Sequence, residues 1–425
     1  MRLVVVGGVA AGLSAASRAR RLDPSLEIVV LEKGARISYG ACGLPYLIEG
    51  QVRSIDELTV YTPAFFEKDR DIRIRTGCEV TAVQHGRREV LLRSGERVRY
   101  DRLVWAAGAR PVLPFTGANV FCLHTDWDAQ RLLDFLRDRQ PRTAAVVGGG
   151  YIGLEMATAL RARGLAVSVH HDATTLLNRE DDWLTKRVAD RLARCRINLH
   201  LNTRVASAEG LGADLVLLAA GLKANAELLA DAGADLGRTG ALRVDERLET
   251  TLGGVFAAGD CAEALHIVTG RPAWIPLGTT ANKMGRIAGA NAAGARERFE
   301  GIAGTSIVRI GGLAVAATGL SSQQARREGF SPVEVVVEAR ERPKYFHGRK
   351  VAIQLVADRS SRRLLGAAIL GDEGVAGRIN VVATALAARM RADSLASLDL
   401  SYAPPYGPAT DPLLTAAQQL ARVLD

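Results

Sequence analysis

Leu3-Val4-Val5-Val6-Gly7-Gly8-Val9-Ala10-Ala11-Gly12 opens the chain almost at once. Four apolar residues read as a strand buried on both faces. The glycines then form a tight turn, and an Ala- and Arg-rich helix runs on to Leu22. A second strand, Glu27 to Leu31, ends at Glu32, about twenty residues past Gly12. That is the distance at which a dinucleotide-binding βαβ unit carries the acid for a ribose hydroxyl. Gly7, Gly8, Val9, Ala10, Ala11 and Gly12, with Glu32 and the adjoining Lys33, are therefore the expected contacts of a first dinucleotide. The middle glycine of the usual G-x-G-x-x-G is replaced by Val9.

A second unit follows from Ala144 to Leu160 with the pattern complete as Gly148, Gly150 and Gly153. Tyr151, Ile152 and Glu155 belong to the helix that this turn opens. One glycine turn cradles only one pyrophosphate at a helix N-terminus, so two turns imply two dinucleotide sites. The strand Ala166 to Val169 then leads into His170-His171-Asp172, placing His171 where an NAD-selective acid is usual. Loss of that acid permits a 2′-phosphate, and Asp172 keeps NADH open, so NADPH and NADH both remain candidates.

Smaller signals fill in the rest of the chain. A buried strand from Asp101 ends in a glycine turn at Ala107 and Gly108, and it is echoed by Asp214 to Gly221. A third such strand ends at Gly259-Asp260, where a carboxylate can accept a hydroxyl hydrogen bond from a ribityl chain. Gly278, Thr279, Thr280 and Ala281 open a helix whose free N–H groups can face negative charge. Near Ala303 the pattern changes to alternating β-branched strands at Ile307 to Ile310, Val333 to Val337 and Ala352 to Val356. An Ala-rich helix, Val381 to Met390, and Tyr402-Ala403-Pro404-Pro405-Tyr406 come after them. The expected fold is α/β, with two Rossmann-like dinucleotide-binding domains and a C-terminal α/β domain. The expected divisions are 1–115 and 244–302 for the first domain, 116–243 for the second and 303–425 for the third.

The formal charge of +9 over 425 residues suits an anionic ligand, although solvated Arg-rich faces explain it equally well. Nucleic acid is disfavoured, because no basic run is interleaved with stacking residues. Met1-Arg2 and the apolar run behind it mimic a short signal peptide, but the glycine turn inside marks a domain start. No apolar stretch reaches the ~18 residues of a membrane span. Cys42, Cys78, Cys122, Cys195 and Cys261 are odd in number and scattered, which points to a reducing cytoplasmic setting. No histidine or cysteine spacing supports a metal site. Four of the five read as structural thiols. Cys42 differs: it lies in Ser38-Tyr39-Gly40-Ala41-Cys42-Gly43-Leu44-Pro45-Tyr46, just past the first nucleotide unit. A helix starting near Gly43 would favour its thiolate through the dipole.

This ordered set resembles the flavin-dependent pyridine nucleotide–disulfide oxidoreductases over essentially the whole chain. It looks most like their single-cysteine branch of coenzyme A-disulfide reductases, NADH oxidases, NADH peroxidases and persulfide reductases. The dithiol members carry C-x-x-x-x-C, whereas this chain has Cys42 alone. The first turn lacks the histidine of the peroxidases, and Ala41 stands where several reductases have Asn. The resemblance implies FAD in the first unit and NADPH or NADH in the second. It also implies a homodimer, with Tyr345 and Tyr402 reaching the partner subunit's thiol. The implied reaction reduces coenzyme A (CoA) disulfide, or a CoA persulfide or polysulfide, through a Cys42–CoA mixed disulfide. Tyr151 would shield the nicotinamide side of the flavin, and Glu155 would orient a lysine or water there. Arg18, Arg21, Ser38 and Tyr406 are expected to contact the substrate. With the tail stopping at Asp425, the rhodanese-like domain that some persulfide reductases carry is not expected here. The alternatives are a water-forming NADH oxidase and a flavin-binding redox sensor with little turnover.

Overall fold

The computed structural model describes all 425 residues. Its first parallel sheet runs in the order Val255–Ala257, Arg102–Trp105, Arg2–Val6, Glu27–Leu31, Arg73–Arg75. The opening strand is central, which is why Leu3, Val4 and Val5 are completely buried. Helices Ala10–Leu22 and Gly278–Ala292 pack backbone to backbone beside it. A Cβ on Gly285 or on Gly289 would come to 2.1 Å from the carbonyl oxygen of Ala11 or Ala15, respectively. Small residues thus bring two distant segments into one body, and the short strand at Val255–Ala257 joins the same sheet.

The second parallel sheet has the order Ile197–His200, Ala166–His170, Thr143–Val147, Leu215–Leu218, Val120–Phe121. An antiparallel ribbon, Ala109–Pro111 with Leu222–Ala224, connects the two bodies. The boundary expected after residue 243 moves back, because Ala224, Leu229, Ala241 and Leu242 lie in the first core. Conversely, Leu44, Leu47 and Ile48, close after Cys42 in sequence, are buried in the second core. The segment that carries the thiol is therefore anchored across a domain junction.

The third sheet is antiparallel, in the order Ser306–Ile310, Leu313–Gly319, Leu364–Gly371, Lys350–Asp358, Pro332–Arg340. The helix expected at 381–390 is Val375–Ala387. The chain closes on a further helix, Pro412–Leu424. Asp411 caps it by accepting from Leu413 N, and Leu413, Ala416, Ala417, Leu420 and Leu424 are its buried stripe. No helix is long and apolar enough to cross a membrane.

Candidate active site

The two glycine turns repeat one geometry. Gly7 and Gly148 have φ of +110° and +121°, and a Cβ on either would strike a carbonyl oxygen, that of Ala106 at 2.2 Å or Ala219 at 2.1 Å. Gly12 and Gly153 would strike the carbonyls of Gly7 and Gly148, at 1.8 and 2.0 Å. These glycines are fixed by backbone approach, which leaves the helix N-termini at Ala10 and Tyr151 open to a phosphate. Val9 is tolerated because its φ is −116°, and neither its side chain nor Gly150 caps the helix that follows.

Behind each turn stands the ribose position. Glu32 is buried and accepts from Gly8 N and Gly34 N, both at 2.6 Å. In the second unit a Cβ on Gly149 would lie 2.9 Å from His171, just as one on Gly8 would lie 2.9 Å from Glu32. His171 thus occupies the acid's place. Its Nε2 is 3.0 Å from the Thr175 carbonyl and its Nδ1 is 3.5 Å from Asp172. Lys33 is exposed, while Ala107, Gly108 and Gly221 line the crossing between the bodies. There Asn225 donates to the Ala107 carbonyl, and Val112 donates to that of Gly221.

Cys42 sits in a 3₁₀ turn, Ala41–Gly43, that leads into the helix Leu44–Glu49. Cys42 is an exposed residue whose thiol is partly covered, whereas Cys261 is buried with its Sγ donating to the carbonyls of Trp105 and Ala258. The helix expected after Gly43 is present, but the lowered thiol pKa expected from it is corrected. Burial, followed by the charges of Glu155 and Asp260, pushes the Cys42 thiol up. One short helix terminus does not offset two carboxylates in a recess. Ser38 has φ +51°, and its backbone N–H and carbonyl hold Gly8 and Val60.

Asp260 ends its strand in a recess that pushes its carboxyl up to about 6 by burial alone. Its carboxylate has no hydrogen-bond donor from the protein, although its backbone carbonyl accepts from Trp274. A half-buried carboxylate so strongly desolvated, with no donor from the chain, suits a hydroxyl donor from outside it. The helix Gly278–Ala292 opens beside it with no side-chain cap, leaving the N–H groups of Gly278, Thr279 and Thr280 free, whereas that of Ala281, expected to face the ligand, donates to the Leu277 carbonyl. Glycines crowded to their limit, an unpartnered acid and an uncapped helix start together fit a flavin dinucleotide.

On the nicotinamide side, Tyr151 hydroxyl is 2.8 Å from Ser306 Oγ. Glu155 does not orient a lysine; its Oε1 accepts from the Tyr46 hydroxyl at 3.1 Å. Arg309 completes the group, with its guanidinium 5.0 Å from the centre of the Tyr46 ring and 3.0 Å from Glu49. The sequence offered a signal in the Tyr46 that follows Pro45, but nothing local connects it to residue 155.

Arg18 pairs with Glu297, and Arg20 is tied to the carbonyls of Pro24 and Asp71. Arg21 has no ion-pair partner, and burial followed by Arg70, Arg18 and Arg286 lowers its pKa. Nearby, Tyr61 and Phe65 stack at 4.5 Å, with Arg70 5.2 Å from the Phe65 ring centre. Arg70 and Arg286, missed in the sequence, become visible only once helices from three segments converge. Tyr345, Tyr402 and Tyr406 are exposed on the C-terminal domain, and none forms a hydrogen bond to Cys42 within one chain.

The family model described as pyridine nucleotide-disulphide oxidoreductase matches residues 1–294, and its dimerisation domain matches 305–412. The chain is 35% identical over 442 residues to the NAD(P)H coenzyme A polysulfide/persulfide reductase of Pyrococcus horikoshii, covering 100% of this chain and 98% of the relative. It is 32% identical to the NADH oxidase of Methanocaldococcus jannaschii, with 100% and 99% covered. Against the coenzyme A disulfide reductase of Staphylococcus haemolyticus it is 28% identical, with 96% and 97% covered. The solved NAD-dependent persulfide reductase of A. fulgidus superposes with a TM-score of 0.96 at 34% identity, over 100% of this chain and 83% of that one. With its paired glycine turns and C-terminal sheet, this chain belongs to the pyridine nucleotide-disulphide oxidoreductase family, whose members use FAD and NAD(P)H.

Proposed function

We propose that the protein reduces CoA disulfide, or a CoA persulfide or polysulfide, with Cys42 as the exchanging thiol. The observation that supports this reading is an exposed Cys42 whose sulfur stands against the uncapped start of the helix Gly278–Ala292. CoA bears phosphates and an adenine. Arg21 and Arg70 suit the phosphates, and the Tyr61–Phe65 pair offers a stacking face.

When bound, the flavin and the pyridine nucleotide supply the two electrons that cleave the mixed disulfide and restore the Cys42 thiolate. The chain's own residues do the rest. The Cys42 thiolate attacks one sulfur of the disulfide, the S–S bond breaks, and a CoA thiolate leaves while Cys42 keeps the other half. The departing thiolate requires a proton, and the hydroxyls of Tyr345 and Tyr402 from the second subunit of a homodimer would supply it. Glu32, Asp260 and the turns at Gly7 and Gly148 hold the dinucleotides, with His171 and Asp172 meeting the second ribose. Because arginines would recognise the substrate through its phosphates, binding should weaken with salt.

The test is anaerobic oxidation of NADH and of NADPH with and without CoA disulfide or CoA persulfide. A CoA-dependent rate well above background supports the reading. Rapid oxidation that requires only oxygen would replace it with an NADH oxidase.

A further inference from the structure

The helix behind Cys42 makes contact with three bodies at once. One turn beyond the thiol, Tyr46 donates to Glu155 on the helix Tyr151–Ala162, whose first turn faces the second dinucleotide site. Arg309, on the C-terminal strand Ser306–Ile310, covers the Tyr46 ring and bonds Glu49 from the same helix as Tyr46. The four side chains line a cleft of about 500 Å³ together with Thr158 and Arg161. Arg161 is occupied there by the carbonyls of Cys195 and Leu165, so it does not neutralise Glu155. The side-chain carboxylate of Glu155 has one hydrogen-bond donor from another side chain, the Tyr46 phenol.

We infer that Glu155, held by Tyr46, is a positioning residue that governs how readily Cys42 ionises, and that it does so from the nucleotide-bearing helix. This rests on the reading of Cys42 as the exchanging thiol. The argument is electrostatic and reciprocal. A negative Glu155 opposes a second negative charge on Cys42, and a neutral Glu155 removes that opposition. Every charged or titrating group facing the pair is identifiable: Tyr46 and Glu49 on the thiol helix, Arg309 on the strand, and Asp260 on the flavin side. Burial favours the neutral acid, while the Tyr46 hydroxyl and Arg309 favour the anion. Opposed influences of this kind let a nucleotide arriving on the same helix tip Glu155 either way, so a change at the second site reaches Cys42 through the charge on Glu155.

The test is the rate of Cys42 alkylation by iodoacetamide in the purified flavoprotein from pH 6 to 10, read by peptide mass. Glu155→Gln keeps an acceptor for Tyr46 but removes the charge. Its midpoint should fall by about half a unit, which is ~3-fold faster labelling below the midpoint. Tyr46→Phe removes the donor that favours the anion, so it should move the midpoint the same way by less, and the double variant should match Glu155→Gln. An unchanged midpoint in Glu155→Gln, or independent shifts that add, would overturn the inference. If Glu155→Gln failed to hold flavin, an unmoved midpoint in Tyr46→Phe would decide against it. No disulfide substrate enters the assay. A protein that shows the shift but does not reduce CoA disulfide would refute the proposed reaction and leave this coupling standing.

Discussion

A Cβ placed on Gly278 would lie 3.9 Å from the sulfur of Cys42, so the thiol stands against the opening turn of the helix Gly278–Ala292. Residues more than two hundred positions apart thereby share one recess. The helix terminus and the thiol both face the volume that a flavin ring would fill. Alanine at 278 makes only ordinary contact with the sulfur, whereas the branches of valine project into the recess. Gly278→Ala should keep parental flavin content. Gly278→Val should slow iodoacetamide labelling of Cys42 several-fold and reduce bound flavin, both measurable on one preparation by absorbance and mass spectrometry.

Cys42→Ser separates binding from exchange. Serine is nearly isosteric at an exposed position, so the melting temperature and flavin content should be unchanged. CoA disulfide reduction should fall by at least ~10³-fold, the usual scale for loss of a nucleophile. Retained disulfide reduction would show that the sulfur takes no part.

The buried carboxyl of Asp260 gives a pH signature. Its value of about 6 in the folded chain lies above the ordinary 3.8, so the folded state binds the proton more tightly. Below pH 3.8 the residue is neutral in both states and costs nothing. As pH rises from 3.8 through about 6 the native state loses stability relative to the unfolded one, and above that the penalty is complete. Asp260→Asn should therefore stabilise the flavin-stripped protein at pH 7.5 by about 1–3 kcal/mol and hardly at all at pH 4. The same variant should release flavin more readily, since the acid is there to accept hydroxyl donors. Equal melting shifts at both pH values would contradict this account.

The arginine cluster predicts a split between binding and turnover. Arg21 and Arg70 repel one another and neither has an ion-pair partner, so under the proposed reaction the pair would suit a substrate phosphate. Arg21→Ala and Arg70→Ala should each raise KM for CoA disulfide by about tenfold, about 1.4 kcal/mol, with kcat nearly constant. An uncharged disulfide such as hydroxyethyl disulfide should show no such change. If both substrates suffered alike, the arginines would be structural.

The parts that could be read along the chain were those with short-range causes. Strand, turn and helix recur within about thirty residues because one βαβ unit closes locally, so Gly7, Gly12, Glu32 and the whole second turn are legible. The relationships that escaped all depend on distant segments meeting. Residues 222–242 return to the first core through the ribbon with Ala109–Pro111, which no composition change announces. The raised pKa of Cys42 is not legible locally, because it comes first from burial by distant segments and then from Glu155 and Asp260, 113 and 218 positions away. The terminal helix does carry a local start signal, with Asp411 as cap and Pro412 in its first turn, and its buried stripe packs under the third sheet.

The exposed tyrosines provide the last test, one of shared sites. Tyr345 and Tyr402 are 69% and 52% exposed, which leaves their hydroxyls free to serve a second copy of the chain. In a homodimer built on the matched dimerisation domain, a Cys42→Ser chain still offers both tyrosines to its partner. A Tyr345→Phe, Tyr402→Phe chain still offers its own Cys42. Neither homodimer should reduce CoA disulfide at more than a few per cent of the parental rate. In a mixed dimer one site combines the intact thiol with intact tyrosines, so refolding the two variants together in equal amounts should restore about a quarter of parental turnover. Half of the dimers are then mixed, and each has one complete site. Tyrosines acting on their own chain's thiol would give no recovery at any mixing ratio.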